Sequence, residues 1–162
     1  MMKTIRMMTG LVLVLLLAAC QSAPQGKFSP EQISAMRSQG FSEIPEGWML
    51  GISEKILFGK NKSELTPESV ATVQRMAKLL SSTGLHHARL DGHTDNYGDE
   101  KYNEALSLKR ANAVADAWAS GAGVARRNIT TRGLGDSDPV QSNKTSQGRA
   151  ENRRVAVVIT AP

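Results

Sequence analysis

The run 91–110, DGHTDNYGDEKYNEALSLKR, constrains the fold more than any other stretch, because it joins an extended segment to a helix and leaves polar residues where a core face is due. Residues 88–95 read as a short strand that stops at Asn96-Tyr97-Gly98-Asp99, a cluster of residue types that turn a chain. Asp99 suits the N-cap of the following helix, since a short side-chain oxygen can accept from an orphan amide of the first turn. The helix is predicted to run to about Ser120, with Gly121 and Gly123 supplying the stop. At about 100° per residue, Asn103, Ser107 and Arg110 share a narrow sector that continues into Val114, Ala117 and Trp118. Buried polar groups must be partnered or they cost free energy. The sector is therefore either a structural hydrogen-bond network or the floor of a binding site.

Residues 48–58, WMLGISEKILF, read as a first strand interrupted by Ser53-Glu54-Lys55. A loop follows at Gly59-Lys60-Asn61-Lys62-Ser63. Thr66 then caps a helix with Pro67 at its first position; Val70, Val73, Ala77 and Leu80 form its buried stripe, and Gly84 ends it. Residues 128–133 are a strand rich in β-branched side chains, residues 134–152 a polar loop, and residues 153–160 a last strand apolar enough for both faces to be covered. The order β-α-β-α-β-β predicts an α/β (α+β) sandwich, one mixed sheet with helices packed on one face. Aromatics make up only 4% of the chain, so this core is mainly aliphatic.

The N-terminus sets the compartment. Lys3 and Arg6 precede an apolar run, residues 11–19, that is too short for a spanning helix of about 20 residues and has the layout of a secretory signal peptide. Leu17-Ala18-Ala19-Cys20 resembles a bacterial lipobox, in which cleavage before the cysteine is followed by its lipidation. Cys20 is the sole cysteine of the chain, so a lipid anchor leaves no thiol for a disulfide or a metal. Gln21 in the next position points to the outer membrane under the bacterial sorting rule. The chain thus divides into a signal peptide at 1–19, a lipidated N-terminus and linker at 20–47, and a globular domain at 48–162. Within the linker, Ser29 and Pro30 predict one short helix to Gln39. Phe28, Phe41 and Trp48 leave open whether the linker is free or docked.

Cleavage removes Lys3 and Arg6, so the 20 basic residues fall to 18 against 15 acidic ones. That excess, with no basic run beyond Arg126-Arg127 and Arg153-Arg154 and no interleaved aromatics, argues against nucleic acid as a partner.

Several separate runs carry a resemblance: Gly92-His93-Thr94-Asp95-Asn96-Tyr97-Gly98, Tyr102-Asn103, Leu106-Ser107-Leu108-Lys109-Arg110-Ala111, Gly133-Leu134-Gly135, and Gly148-Arg149-Ala150-Glu151-Asn152-Arg153-Arg154-Val155. Together they resemble the OmpA C-terminal, peptidoglycan-binding domain. With Pro24-Gln25-Gly26-Lys27-Phe28 and Asn143-Lys144-Thr145 added, the likeness extends to one group of lipoproteins in that family. The resemblance implies binding of the peptidoglycan stem peptide, chiefly meso-diaminopimelate, whose free end is a zwitterion. Asp95 and Arg110 match the family's pair for its ammonium and carboxylate, and a planar guanidinium can meet a carboxylate bidentately. Asn61 matches a position that hydrogen-bonds the peptide. Asn96, Gly98 and Asn103 would complete the cradle, Leu106 would lend an apolar wall, and Arg153 matches a further contact. The lipoprotein group implies a second partner, the periplasmic repressor YfiR, whose capture frees an inner-membrane diguanylate cyclase to make cyclic di-GMP.

Without the family, an Asp and an Arg so placed are more often a plain ion pair. An enzyme reading rests on Asp91, His93 and Asp95, which alternate along a strand and could serve a metal-dependent wall hydrolase, with His86 and His87 nearby. The Gly-His-Thr-Asp run is, however, the ordinary form of the binding motif, and no nucleophile and base are identifiable, so no catalytic residue, metal or cofactor is expected. A Pal-like tether between outer membrane and wall is the remaining alternative. The sequence leaves homodimerisation open.

Overall fold

The computed structural model describes residues 27–59 and 62–161. Cys20, the signal peptide and Asn61 lie outside them. The elements are α1 (Pro30–Ser38), β1 (Ser42–Ile44), β2 (Gly47–Ser53), α2 (Glu54–Leu57), α3 (Pro67–Ser82), β3 (Ala88–His93), α4 (Glu100–Ala122), a 3-10 turn at Arg126–Asn128, β4 (Ile129–Gly133), α5 (Ser146–Asn152) and β5 (Arg154–Thr160). The strands form one sheet in the order β1-β2-β5-β3-β4. Only β3 and β4 are parallel, and α4 makes the crossover that a parallel pair requires.

The central strand, β5, is buried from Arg154 to Ile159. Its Val155, Val157 and Ile159 meet Leu90 of β3, Trp48 of β2 and the buried stripes of α3 and α4 in one core. The predicted caps hold: Thr66 accepts from the Ser69 amide and Asp99 from the Tyr102 amide. Gly123, at φ 67°, is the stop of α4, whereas Gly121 lies within the helix. There α4 crosses so close to Gln74 of α3 that a Cβ would sit 2.4 Å from its backbone.

Residues assigned to a linker join this body. Ser29 and Gln32 form a reciprocal capping box at the start of α1, Met36 and Phe41 are buried in the main core, and β1 pairs with β2. These apolar residues are too sparse to announce an amphipathic segment, yet each inserts into the core. The interruption at Ser53-Glu54-Lys55 is likewise more than a break, because β2 ends there and α2 begins. The expected loop 134–152 closes in α5, where the buried Asn152 side chain accepts from the Val140 and Gln141 amides and donates to the Gln141 carbonyl and Asn143 Oδ1.

On the sheet face away from α4, His93 is only 4% exposed, and its Nδ1 has no hydrogen-bond partner among the described residues. Burial, and then the Arg154 charge, lower its pKa to about 4, against an opposite pull from Asp138 and Asp91. Folded His93 is thus neutral at pH 7, while the unfolded chain takes up this proton near pH 6.5.

Met36→Ala is expected to cost about 2–5 kcal/mol in urea unfolding, the range for a truncated core side chain, whereas a free linker would leave stability unchanged. The stability linked to His93 is full above about pH 6.5 and is lost as pH falls towards about 4, by up to about 3 kcal/mol. Unfolding at about pH 7 and about pH 4.5 should show this loss in the wild type and a flatter dependence in His93→Gln.

Candidate binding site

Three sequence-remote segments meet at one end of β5. The antiparallel register sets Arg154 opposite both Ser53 and His93, so the residues just beyond, Glu54 of α2, Asp95 and Arg153, are brought together. The fourth member arrives from α4. At Gly92 the strand touches that helix so closely that a Cβ would lie 2.0 Å from the Ser107 carbonyl oxygen, and one turn further on is Arg110.

The four side chains form an alternating chain of charge. Arg110 Nη1 donates to Glu54 Oε2, Arg153 Nε donates to Glu54 Oε1 at 3.0 Å, and Arg153 Nη1 donates to Asp95 Oδ2 at 2.7 Å. Arg110 also donates through Nε and Nη2 to the Lys62 carbonyl at 3.3 and 3.1 Å, and its guanidinium lies 5.4 Å from the centre of the Phe58 ring. Arg110 is the more deeply buried arginine, with 7% of its side chain exposed against 34% for Arg153, and it lies behind Glu54, outside the cleft lining. Burial opposes the Arg153 charge, but the Asp95 and Glu54 carboxylates outweigh it and raise its pKa above the ordinary arginine value. An open cleft of about 670 Å³ lies over this chain, lined by Glu54, Lys55, Phe58, Gly59, Thr66, Asp95 and Arg153.

The residues expected at the site do not all take equivalent places. Asp95 and Arg153 are in direct contact, whereas Asp95 and Arg110 are linked only through Arg153 and Glu54. Asn103 is buried and donates to the Tyr97 carbonyl, while Asp95 Oδ1 accepts from the Tyr97 amide, so both hold the turn that carries the exposed Asn96 and Gly98. Gly98 has φ 97°, a conformation that disfavours any side chain. Leu106 is half-buried and outside the cleft lining. Ser107 is structural: its hydroxyl donates to the Glu104 carbonyl and accepts from the Gly135 amide. The polar sector of α4 is therefore a hydrogen-bond network at Asn103 and Ser107 and part of the ion-paired chain at Arg110.

Glu54 and the Lys62 carbonyl were not anticipated. The one available signal for Glu54 was a charge set in the apolar run 48–58.

Asp91, His93 and Asp95 do not converge. Asp91 accepts from Arg89 and from Arg132 on β4, with both Arg132 contacts at 2.7 Å. Burial alone would raise the Asp91 pKa; the two guanidinium groups outweigh it and hold it below the ordinary carboxylate value. Among the described residues, no group of three or more His, Asp or Glu side chains is placed to hold a metal ion, and no helix is long and apolar enough to cross a membrane.

The chain is an α/β sandwich with an ion-paired cleft at the β5 end, and residues 57–153 match the model of the OmpA family, to which the chain belongs. The lipoprotein group resembled by its flanking runs is that of YfiB. The chain is 64% identical over 148 residues to the lipoprotein YfiB of Escherichia coli (strain K12), covering 91% of this chain and 92% of the relative. It is 49% identical over 150 residues to the outer-membrane lipoprotein YfiB of Pseudomonas aeruginosa, covering 92% and 89%. Among solved structures it resembles the cell wall anchor of the T6SS from Pseudomonas aeruginosa, with a TM-score of 0.66 and 26% identity over 85% of this chain and 99% of that one.

Asn103→Ala leaves the Tyr97 carbonyl without its donor and should destabilise the turn by about 1–3 kcal/mol. Amide exchange at Tyr97 should quicken accordingly, with little change in the strands.

Proposed function

We propose that the cleft binds the diaminopimelate end of the peptidoglycan stem peptide, and that the protein is a lipoprotein held in the outer membrane through Cys20 and facing the periplasm. The meeting of Asp95 and Arg153 in the cleft lining, with Arg110 directly behind Glu54, carries this reading. A zwitterion needs an anionic acceptor beside a cationic donor, and here Asp95 and Arg153 are half-buried and Arg110 buried, where charge-assisted hydrogen bonds gain strength. Asp95 accepts from the ligand ammonium while its other oxygen is steadied by the Tyr97 amide. Arg110 takes the ligand carboxylate from below, with its Nε side fixed on the Lys62 carbonyl. Arg153 bridges Asp95 and Glu54, Asn96 and Gly98 offer exposed polar groups of the turn, and Asn61 and Leu106 are further contacts of the proposal on the strength of the family resemblance. Net charge within the chain of four side chains is zero, which suits a ligand end whose own charges cancel.

The likeness to YfiB lipoproteins supports a further role, capture of the periplasmic repressor YfiR and thereby control of cyclic di-GMP synthesis. The likeness to a cell wall anchor favours a second reading, in which the domain only ties the outer membrane to the wall. The two share the cleft and differ in protein partner.

Pull-down on purified sacculi tests the cleft. Asp95→Ala and Arg110→Ala should each reduce retention by about tenfold or more, the loss of a charged hydrogen bond, and retention equal to wild type would sink the assignment. Co-purification with YfiR separates the sensor from the tether.

A further inference from the structure

We infer that Glu54 is an internal substitute for the ligand carboxylate: it occupies Arg110 while the cleft is empty and must be displaced for the ligand to bind. This rests on the peptide-end reading of the cleft given above.

Arg110 has five N–H donors, and three of them are taken. Its Nε and one Nη2 hydrogen face the Lys62 carbonyl, and its Nη1 is taken by Glu54 Oε2. A ligand carboxylate that pairs with Nη1 meets the carboxylate already on that nitrogen, and the two anions repel one another. That position cannot be left vacant cheaply, because an unpartnered guanidinium at this depth carries a desolvation penalty. Glu54 supplies the missing charge in the empty state, and the ligand supplies it in the bound state. The number of ion pairs on Arg110 is then conserved across binding.

Glu54 can make this exchange without refolding. Its backbone is fixed at both sides, the amide donating to the Arg153 carbonyl at 2.9 Å and the carbonyl accepting from the Phe58 amide at 2.8 Å. Its side chain, at 23% exposure, is less buried than that of Arg110 and lines the cleft. The second carboxylate oxygen already lies 3.0 Å from Arg153 Nε, so release from Arg110 leaves Glu54 an ion pair on the outer arginine. A side-chain rotation is sufficient. The rotation lowers the apparent affinity by the fraction of molecules in which Arg110 is free. Binding to the wall is thereby kept reversible.

Calorimetric titration of the full-length protein with meso-diaminopimelate tests the inference. Glu54→Gln keeps the side-chain shape and an acceptor but removes the charge, and should bind about tenfold more tightly than wild type. The empty variant should also melt at a lower temperature, with the difference narrowing at saturation, as expected when ligand replaces a missing charge. Glu54→Asp, one methylene shorter, should fall between the two. A purely structural Glu54 would lower the melting temperature without tightening binding. Unchanged or weaker affinity in Glu54→Gln, with Asp95→Ala abolishing wild-type binding, would overturn the displacement and make Glu54 part of the ligand cradle. If wild type, Glu54→Gln and Asp95→Ala all give no binding, the peptide-end reading fails and this inference fails with it.

Discussion

The arrangement around the cleft depends on one buried charge. Arg110 projects from the middle of α4 into the space where that helix leaves the sheet, and with 7% of its side chain exposed it cannot be solvated there. A guanidinium so placed must find acceptors within the protein or make the fold costly. It finds a carbonyl from the loop before α3, a carboxylate from α2 and the face of Phe58. Those three partners come from the segment 54–62, so the charge beneath Glu54 also pins the connection between β2 and α3.

The sheet order explains why the site is where it is. Because β5 runs between β2 and β3 and antiparallel to both, its first residues lie beside the ends of two strands that are far apart in sequence. Any chain leaving those ends, towards α2 or towards the turn at 96–99, is delivered to the same corner. Asn152, fully buried and bonded to the preceding loop, fixes the entry to β5 and hence the backbone from which Arg153 extends. The opposite face of the sheet follows a different logic. Asp91 is saturated by Arg89 and Arg132, and burial with the Arg154 charge keeps His93 neutral at pH 7, so both groups are engaged within the fold.

Most of the architecture was legible because it rests on local chemistry. Thr66 with Pro67, Asp99 and Gly123 mark helix ends by satisfying or avoiding the same backbone groups in any context. Short elements were not legible. The strand β1 has three residues and α2 four, too few for any periodicity, and α5 carries no apolar stripe. In the site, Asp95, Arg110 and Arg153 were found through motif resemblance, while Glu54 was hidden because the polar triplet Ser53-Glu54-Lys55 in an apolar run reads as a break.

The sequence by itself determined which charged side chains its motif runs carry, and it placed polar residues on a helix face that continues into core. Tertiary structure decided how those groups are paired. Ion pairing is set by distances across elements, and residues 54, 95, 110 and 153 become neighbours only after β5 inserts between β2 and β3 and α4 packs onto Gly92. The sequence suggested Asp95 opposite Arg110; the sheet register interposed Arg153 and Glu54 between them, and so turned an open pair of charges into a cleft already occupied by one of its own carboxylates.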